Sequence, residues 1–126
     1  MRLIKFRAWD KEEKKFYYFD LQSLHGDDGG SVSVDEMFGK DITSFNEFQQ
    51  FTGLKDKNGK EIYEGDILSL NDYLNHTAIF WIGYDEEDAG FSFNEVGYGQ
   101  AVPAVVAGRS EIIGNIYENK ELIKKK

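Results

Sequence analysis

The sequence predicts a mainly β, single-domain protein, and three observations carry that prediction. Apolar residues come in short bursts between Gly, Asn and Asp turn signals, as in strands, and no long stretch keeps a helical period. Aromatics are abundant (ten Phe, seven Tyr, two Trp) and proline occurs once, which suits pleated, half-buried surfaces. The 126 residues match one compact domain, able to bury roughly two-thirds of its unfolded surface without metal or disulfide. No segment repeats at solenoid spacing.

From the start, "RLIKFRAW" alternates: Ile4, Phe6 and Ala8 form the clean apolar face, opposite Leu3, Lys5, Arg7 and Trp9. "DKEEK" turns and "KFYYF" returns, so an antiparallel hairpin is expected from about Leu3 to Phe19. In the weakly patterned residues 20–42, "GDDGG" reads as a loop tip and "SVSV" as a short strand, and 24–42 is expected to be a flexible insertion. "SFNEFQQF" offers a capping box from Ser44 to Glu47 or an alternating strand. The expectation is a brief turn at Ser44, then a strand from about Glu47 to Thr52.

"FTGLKDKNGKEIYEGDIL" holds the strongest turn signals. Asn58-Gly59 predicts a type I′ hairpin turn with positive φ at both residues. Gly53 marks a bend. Gly65 and Asp66 form a second turn, with Asp66 bonding local amides, and "DILSL" opens a strand. As a phosphate loop the stretch fails: it lacks the G-x-x-x-x-G-K-[ST] spacing and leads into a strand rather than a helix N-terminus.

"HTAIFWIGY" is a buried strand, with either Ala78, Phe80 and Ile82 or Ile79, Trp81 and Gly83 facing the core. "DEEDAG" is an acidic tip from which "FSFNEV" returns. Ala104 to Ala107 reads as a strand behind Pro103. "EIIGNIYEN" is a strand that breaks at Gly114, and "NKELIKKK" is a tail or helical turn. The predicted core is Ile4, Phe6, Trp9, Leu54, Ile62, Ile67, Leu68, Ile79, Trp81, Phe91, Ile112 and Ile116.

Composition narrows the function. Without cysteine there is no disulfide, thiol nucleophile or thiolate metal site. No apolar run reaches membrane-spanning length, and the first twenty residues carry ten charges and no signal-peptide core. A cytoplasmic protein without membrane contact is therefore expected. The net charge of −8 is unevenly spread: residues 1–20 hold six Lys/Arg against four Asp/Glu, and 124–126 are three lysines. The remainder is strongly acidic and should repel nucleic-acid backbones, so nucleic acid is a disfavoured partner.

Candidate chemistry is sparse. His25 and His76 fall in no metal motif and read as surface residues. "DEEDAGFSFNE" lacks the alternate-ligand spacing of a calcium loop, and no G-x-S-x-G occurs. No catalytic residue, cofactor or metal ligand is assigned, and a non-enzyme is expected.

The hairpin is the exception. Neighbours along a strand point to opposite faces, so Tyr17 and Tyr18 cannot both be core. Arg7, Trp9, Lys14, Lys15, Tyr17 and Tyr18 are the candidate partner contacts. Tyr, Trp and Arg dominate protein-binding energy, and the same mixture stacks on single-stranded nucleic acid. Two apolar layers on the two faces of the hairpin are the plain structural alternative. Asn58, Gly59, Gly65, Asp66 and Gly114 are assigned as structural turn positions.

Four stretches, "KFRAWDKEEKKF", "FTGLKDKNGKEIYEGDIL", "AIFWIGYDE" and "IIGNIYENKEL", together resemble the YopX family of phage and prophage proteins in order and spacing. Residues 20–45 and 85–108 do not contribute. Phe16 stands where the resemblance leads one to expect methionine after the first turn, and Phe51 where the family commonly has tyrosine before "TGL". Both keep a bulky apolar group. The resemblance implies a small SH3-like β-barrel in 45–126, with the 1–20 hairpin packed on it, and a phage context. It carries no catalytic residue or cofactor. Together with the residues themselves it leads to an accessory protein-interaction module, with a host or phage protein as partner and homo-oligomers possible. Nucleic-acid binding by the hairpin is the alternative.

Overall fold

The computed structural model describes residues 4–20, 38–39, 42–74, 76–87, 89–97 and 103–123. The expectations for "GDDGG", "SVSV", His25 and the 24–42 insertion lie outside them, apart from residues 38, 39 and 42. Strand dominates, in two four-stranded antiparallel sheets. The chain divides into two compact units, Met1–Phe51 and Thr52–Lys126.

In the first unit, β1 (Lys5–Asp10) and β2 (Lys15–Asp20) form the expected hairpin. Phe6 lies opposite Phe19, Ala8 opposite Tyr17 and Trp9 opposite Phe16. Asp10 builds the turn: its Oδ1 accepts the amides of Glu12 at 2.8 Å and Glu13 at 2.9 Å, and its carbonyl accepts that of Lys14. Lys14 closes the turn at φ +57. After a 3-10 turn at Ile42–Ser44, β3 (Phe45–Lys55) pairs with β1, starting earlier and running further than expected. Paired residues share a face. Ala8, Phe19 and Phe45 are buried together, with Phe6, Tyr17 and Phe38 packed on them. Ile4, expected in this core, is exposed at the strand entry.

In the second unit, β3 runs on through Gly53, whose φ of +89 supplies the expected bend within the strand itself. Thr52 Oγ1 donates to the carbonyl of Ile62 on β4 (Glu61–Tyr63). β5 (Asp66–Tyr73), β6 (His76–Asp85), β7 (Gly90–Glu95) and β8 (Glu111–Asn115) form a sheet in the order β7-β6-β5-β8. The other sheet has the order β2-β1-β3-β4.

The core of the second unit is Ile62, Leu68, Leu70, Ala78, Phe80, Ile82, Phe93, Val106 and Ala107. Each large side chain fully buried there contributes roughly 1.5–3 kcal/mol of transfer free energy. Of the two faces of "HTAIFWIGY", the core takes Ala78, Phe80 and Ile82, while Ile79 and Trp81 stay half-buried. The inner face packs on Ile62, Leu68, Leu70, Phe93, Val106 and Ala107, and Gly83 gives Trp81 room on the other. A Cβ there would stand 2.8 Å from Cζ3 of Trp81, so the indole lies in the space the glycine leaves on the outer face. Ile67 is also buried, beside Trp81, to which it is paired.

Three further expectations are corrected. The Asn58-Gly59 turn is not type I′: Gly59 has φ +81, but Asn58 is not among the positive-φ residues. Asp56 and Lys60 close a three-residue loop, with Gly59 N–H donating to the Asp56 carbonyl at 3.0 Å. That is a type I turn followed by a left-handed glycine. The Asp56 carboxylate selects it by accepting the amides of Asn58 and Lys60 on one oxygen, each at 2.9 Å.

Ala104–Arg109 is a 3-10 segment, not a strand. A strand would send adjacent residues to opposite sides, whereas here Val106 and Ala107 are both buried and Val105 is 81% exposed. Without that strand, the described strands form no closed SH3-like barrel. Closure needs the end strands of a sheet to pair with each other, and both strand orders are open.

Candidate functional site

The candidate contact residues of the hairpin separate by face. Pairing puts Arg7, Trp9, Phe16 and Tyr18 on one side, with Gln49 of β3 opposite Arg7. Arg7 and Trp9 are buried, 4% and 6% exposed. The Arg7 guanidinium lies 3.9 Å from the centroid of the Phe16 ring, and its Nε donates to Gln49 Oε1 at 2.7 Å. Trp9 meets Phe16 edge-on at 4.8 Å, and Phe16 meets Tyr18 at 6.1 Å. This ladder of rings ends in Tyr18, which is 56% exposed.

Tyr17 points the other way. It is half-buried, contacts Phe38 and Phe45, and donates its hydroxyl to Glu13 Oε2 at 2.8 Å. Lys15 is 3.1 Å from the same carboxylate and 4.9 Å from the Tyr17 ring. Its hydrogen bond to Glu13, and then that to Tyr17, hold its ammonium pKa above the ordinary lysine value. Lys14 is exposed at the turn. Tyr17 and Tyr18 thus divide between core and surface, as period-two alternation requires.

Sequence reasoning missed Phe48. It pairs with Ala8 on the Tyr17 face, touches Phe19 at 5.5 Å and is 43% exposed. "SFNEFQQF" placed it on a strand but could not say how far the aromatic layer extends.

The turn positions are accounted for individually. Gly65 takes φ +82, its amide donates to the Ile82 carbonyl at 2.7 Å, and buried Asp66 accepts the Tyr63 amide at 2.8 Å. Gly114 lies within β8 rather than in a turn, where a bulge shifts register. Its missing Cβ makes room for Asn119, whose Oδ1 accepts the Asn115 amide.

A polar pair was also missed. His76 Nε2 lies 2.6 Å from Glu95 Oε2, with the Glu95 side chain 3% exposed and that of His76 27% exposed. His76 Nδ1 is 3.3 Å from the Leu74 carbonyl. Both nitrogens therefore face acceptors, an arrangement that favours the imidazolium. The hydrogen bond to Glu95 outweighs desolvation and raises the His76 pKa above its ordinary value. His76 is thus a bonded, partly covered residue rather than a plain surface one. The inner rows of "HTAIFWIGY" and "FSFNEV" each end in one member of the pair. That signal is usable only once the inner face is known. Among the described residues no group of three or more His, Asp or Glu gathers as metal ligands, and no helix is long and apolar enough to cross a membrane.

The family model described as YopX protein matches residues 5–124, bearing out the resemblance read from four stretches. Among solved structures, the chain is similar to protein EF1440 from Enterococcus faecalis. The two are 30% identical over 98% of this chain and 100% of that one, with a TM-score of 0.63. No curated protein matches.

Proposed function

The chain belongs to the YopX family, and we propose that it is a non-catalytic protein-interaction module, acting in the cytoplasm of a phage- or prophage-carrying bacterium. The observation that carries this reading is Tyr18. It stands 56% exposed at the end of a packed ladder of rings, and rigid aromatics are the groups whose burial contributes most to association. The ring is presented from a stiff base, because Arg7 and Trp9 beneath it are buried. The burial of Arg7 and the pairing of Lys15 weigh against the alternative, single-stranded nucleic acid held by the hairpin. Among the described strands, β2, β4, β7 and β8 end their sheets, which supports a further proposal, self-association through an edge strand.

The test is retention of partners from host lysate by the tagged protein, with and without nuclease, beside Tyr18→Ser. A protein retained after nuclease and lost with Tyr18→Ser supports the module. Retention that vanishes with nuclease transfers the assignment to nucleic acid. Retention unaffected by Tyr18→Ser removes the hairpin from the contact. Light scattering of the purified chain decides self-association.

A further inference from the structure

We infer that Asn58 is a site of spontaneous covalent modification, cyclising onto the amide of Gly59, and that Asp56 sets the rate. Of the chain's asparagines, Asn46 and Asn94 precede Glu, Asn71 precedes Asp, Asn75 precedes His, Asn115 precedes Ile and Asn119 precedes Lys. Asn58 alone precedes glycine. Glycine has no side chain to shield its amide nitrogen, and the space where a Cβ would stand at Gly59 is empty to 4 Å. Asn58 and Gly59 are both exposed, so water and base reach them.

The step balances without any oxidant or cofactor. The Gly59 nitrogen bonds to Cγ of Asn58, the Cγ–Nδ2 bond breaks, and the amide proton leaves with that nitrogen as ammonia. Water then opens the resulting succinimide at either carbonyl, giving aspartate or isoaspartate.

The fold restrains this reaction. The attacking nitrogen is engaged, because Gly59 N–H donates to the Asp56 carbonyl at 3.0 Å. The Asp56 side chain holds the turn around it through the amides of Asn58 and Lys60. Its other oxygen accepts the Ile112 amide at 3.1 Å. Cyclisation therefore requires these bonds to open. An isoaspartate at 58 routes the main chain through the side-chain carboxyl and inserts an extra atom. The Gly59–Asp56 and Asp56–Lys60 bonds cannot then both close. The same tip donates Lys57 N–H to the Ser110 carbonyl at 2.9 Å, so the product frees the start of β8 and adds a negative charge.

The experiment is peptide mapping by mass spectrometry after incubation in mildly alkaline buffer, native and in urea, for the wild type, Asp56→Asn and Ile82→Val. Isoaspartate is expected at Asn58 before any other asparagine. Asp56→Asn should form it severalfold faster than wild type in native buffer and at the same rate in urea. Ile82→Val, a lesion in the core of the second unit, should stay near the wild-type rate. Earlier modification at another asparagine overturns the site. An unchanged native rate in Asp56→Asn, equal acceleration in urea, or equal acceleration by Ile82→Val overturns the role of Asp56.

Discussion

Replacing Asp56 by asparagine tests how one buried carboxylate ties a local turn to a distant strand. Asp56 is 5% exposed and accepts three main-chain amides, from Asn58, Lys60 and Ile112. Asparagine keeps one oxygen and turns an NH2 toward the Ile112 amide, setting donor against donor. Ile112 is half-buried and cannot turn fully to water, so that lost bond costs about 1–3 kcal/mol. The amides of Asn58 and Lys60 belong to exposed residues, and weakening charge-assisted bonds to neutral ones there costs about 0.5 kcal/mol each. The expected loss is about 2–4 kcal/mol.

Urea unfolding followed by Trp81 fluorescence in a Trp9→Phe background reads the second unit, since the chain has two tryptophans. A slope of about 2 kcal/mol/M, the middle of the range for small domains, makes this a midpoint shift of about 1–2 M. The pH dependence is a second check. Burial alone would raise the Asp56 pKa, but the amides of Ile112, Lys60 and Asn58, with the charge of Lys60, outweigh it and hold it below the ordinary 3.8. A lowered folded pKa means the stabilisation is present above 3.8 and is lost as pH falls through the folded value. The gap between variant and wild type should therefore narrow only as pH falls through that value. A neutral-pH midpoint shift under about 0.3 M, small against the slope range, or a gap that stays undiminished in strong acid, refutes the reasoning.

Other expectations follow from the same geometry. Gly59→Val should destabilise by about 1 kcal/mol or more, because a β-branched residue resists the φ of +81 although space is open. Gly59→Asn should cost less, and equal denaturation midpoints for the two variants would contradict a backbone cause. Gly83→Ala should cost about 1–3 kcal/mol by overpacking and shift Trp81 emission, since the new Cβ meets the indole at 2.8 Å and Ser92 Oγ at 3.0 Å; an unaltered spectrum would show the ring lies elsewhere. His76 should titrate above 6.5, with Glu95→Gln lowering the NMR midpoint. Its folded pKa is raised, so its stabilisation is full below 6.5 and fades as pH rises through the folded value. A wild-type midpoint at or below 6.5 refutes the pairing.

Most of the strands and turns were legible in the amino-acid sequence, because period-two alternation and glycine–asparagine chemistry act over a few neighbouring residues. The β1–β2 hairpin, the split of Tyr17 from Tyr18, the Gly65–Asp66 turn and the family were all legible. Local pattern could not choose the inner face of "HTAIFWIGY", since both faces are apolar; packing against Leu68, Leu70, Phe93, Val106 and Ala107 settled it. Nor could it see that Asp56, whose one oxygen holds the amides of Asn58 and Lys60 in a type I turn with one left-handed glycine, reaches Ile112, 56 residues away, with the other. Tertiary structure likewise buried Arg7 against Phe16 and Gln49, turned 104–109 into a 3-10 segment that buries two adjacent residues, and joined His76 to Glu95. Each depends on which strand lies beside which. Hydrogen bonds and packing between residues far apart in the chain decide that, and no short window of sequence contains both partners.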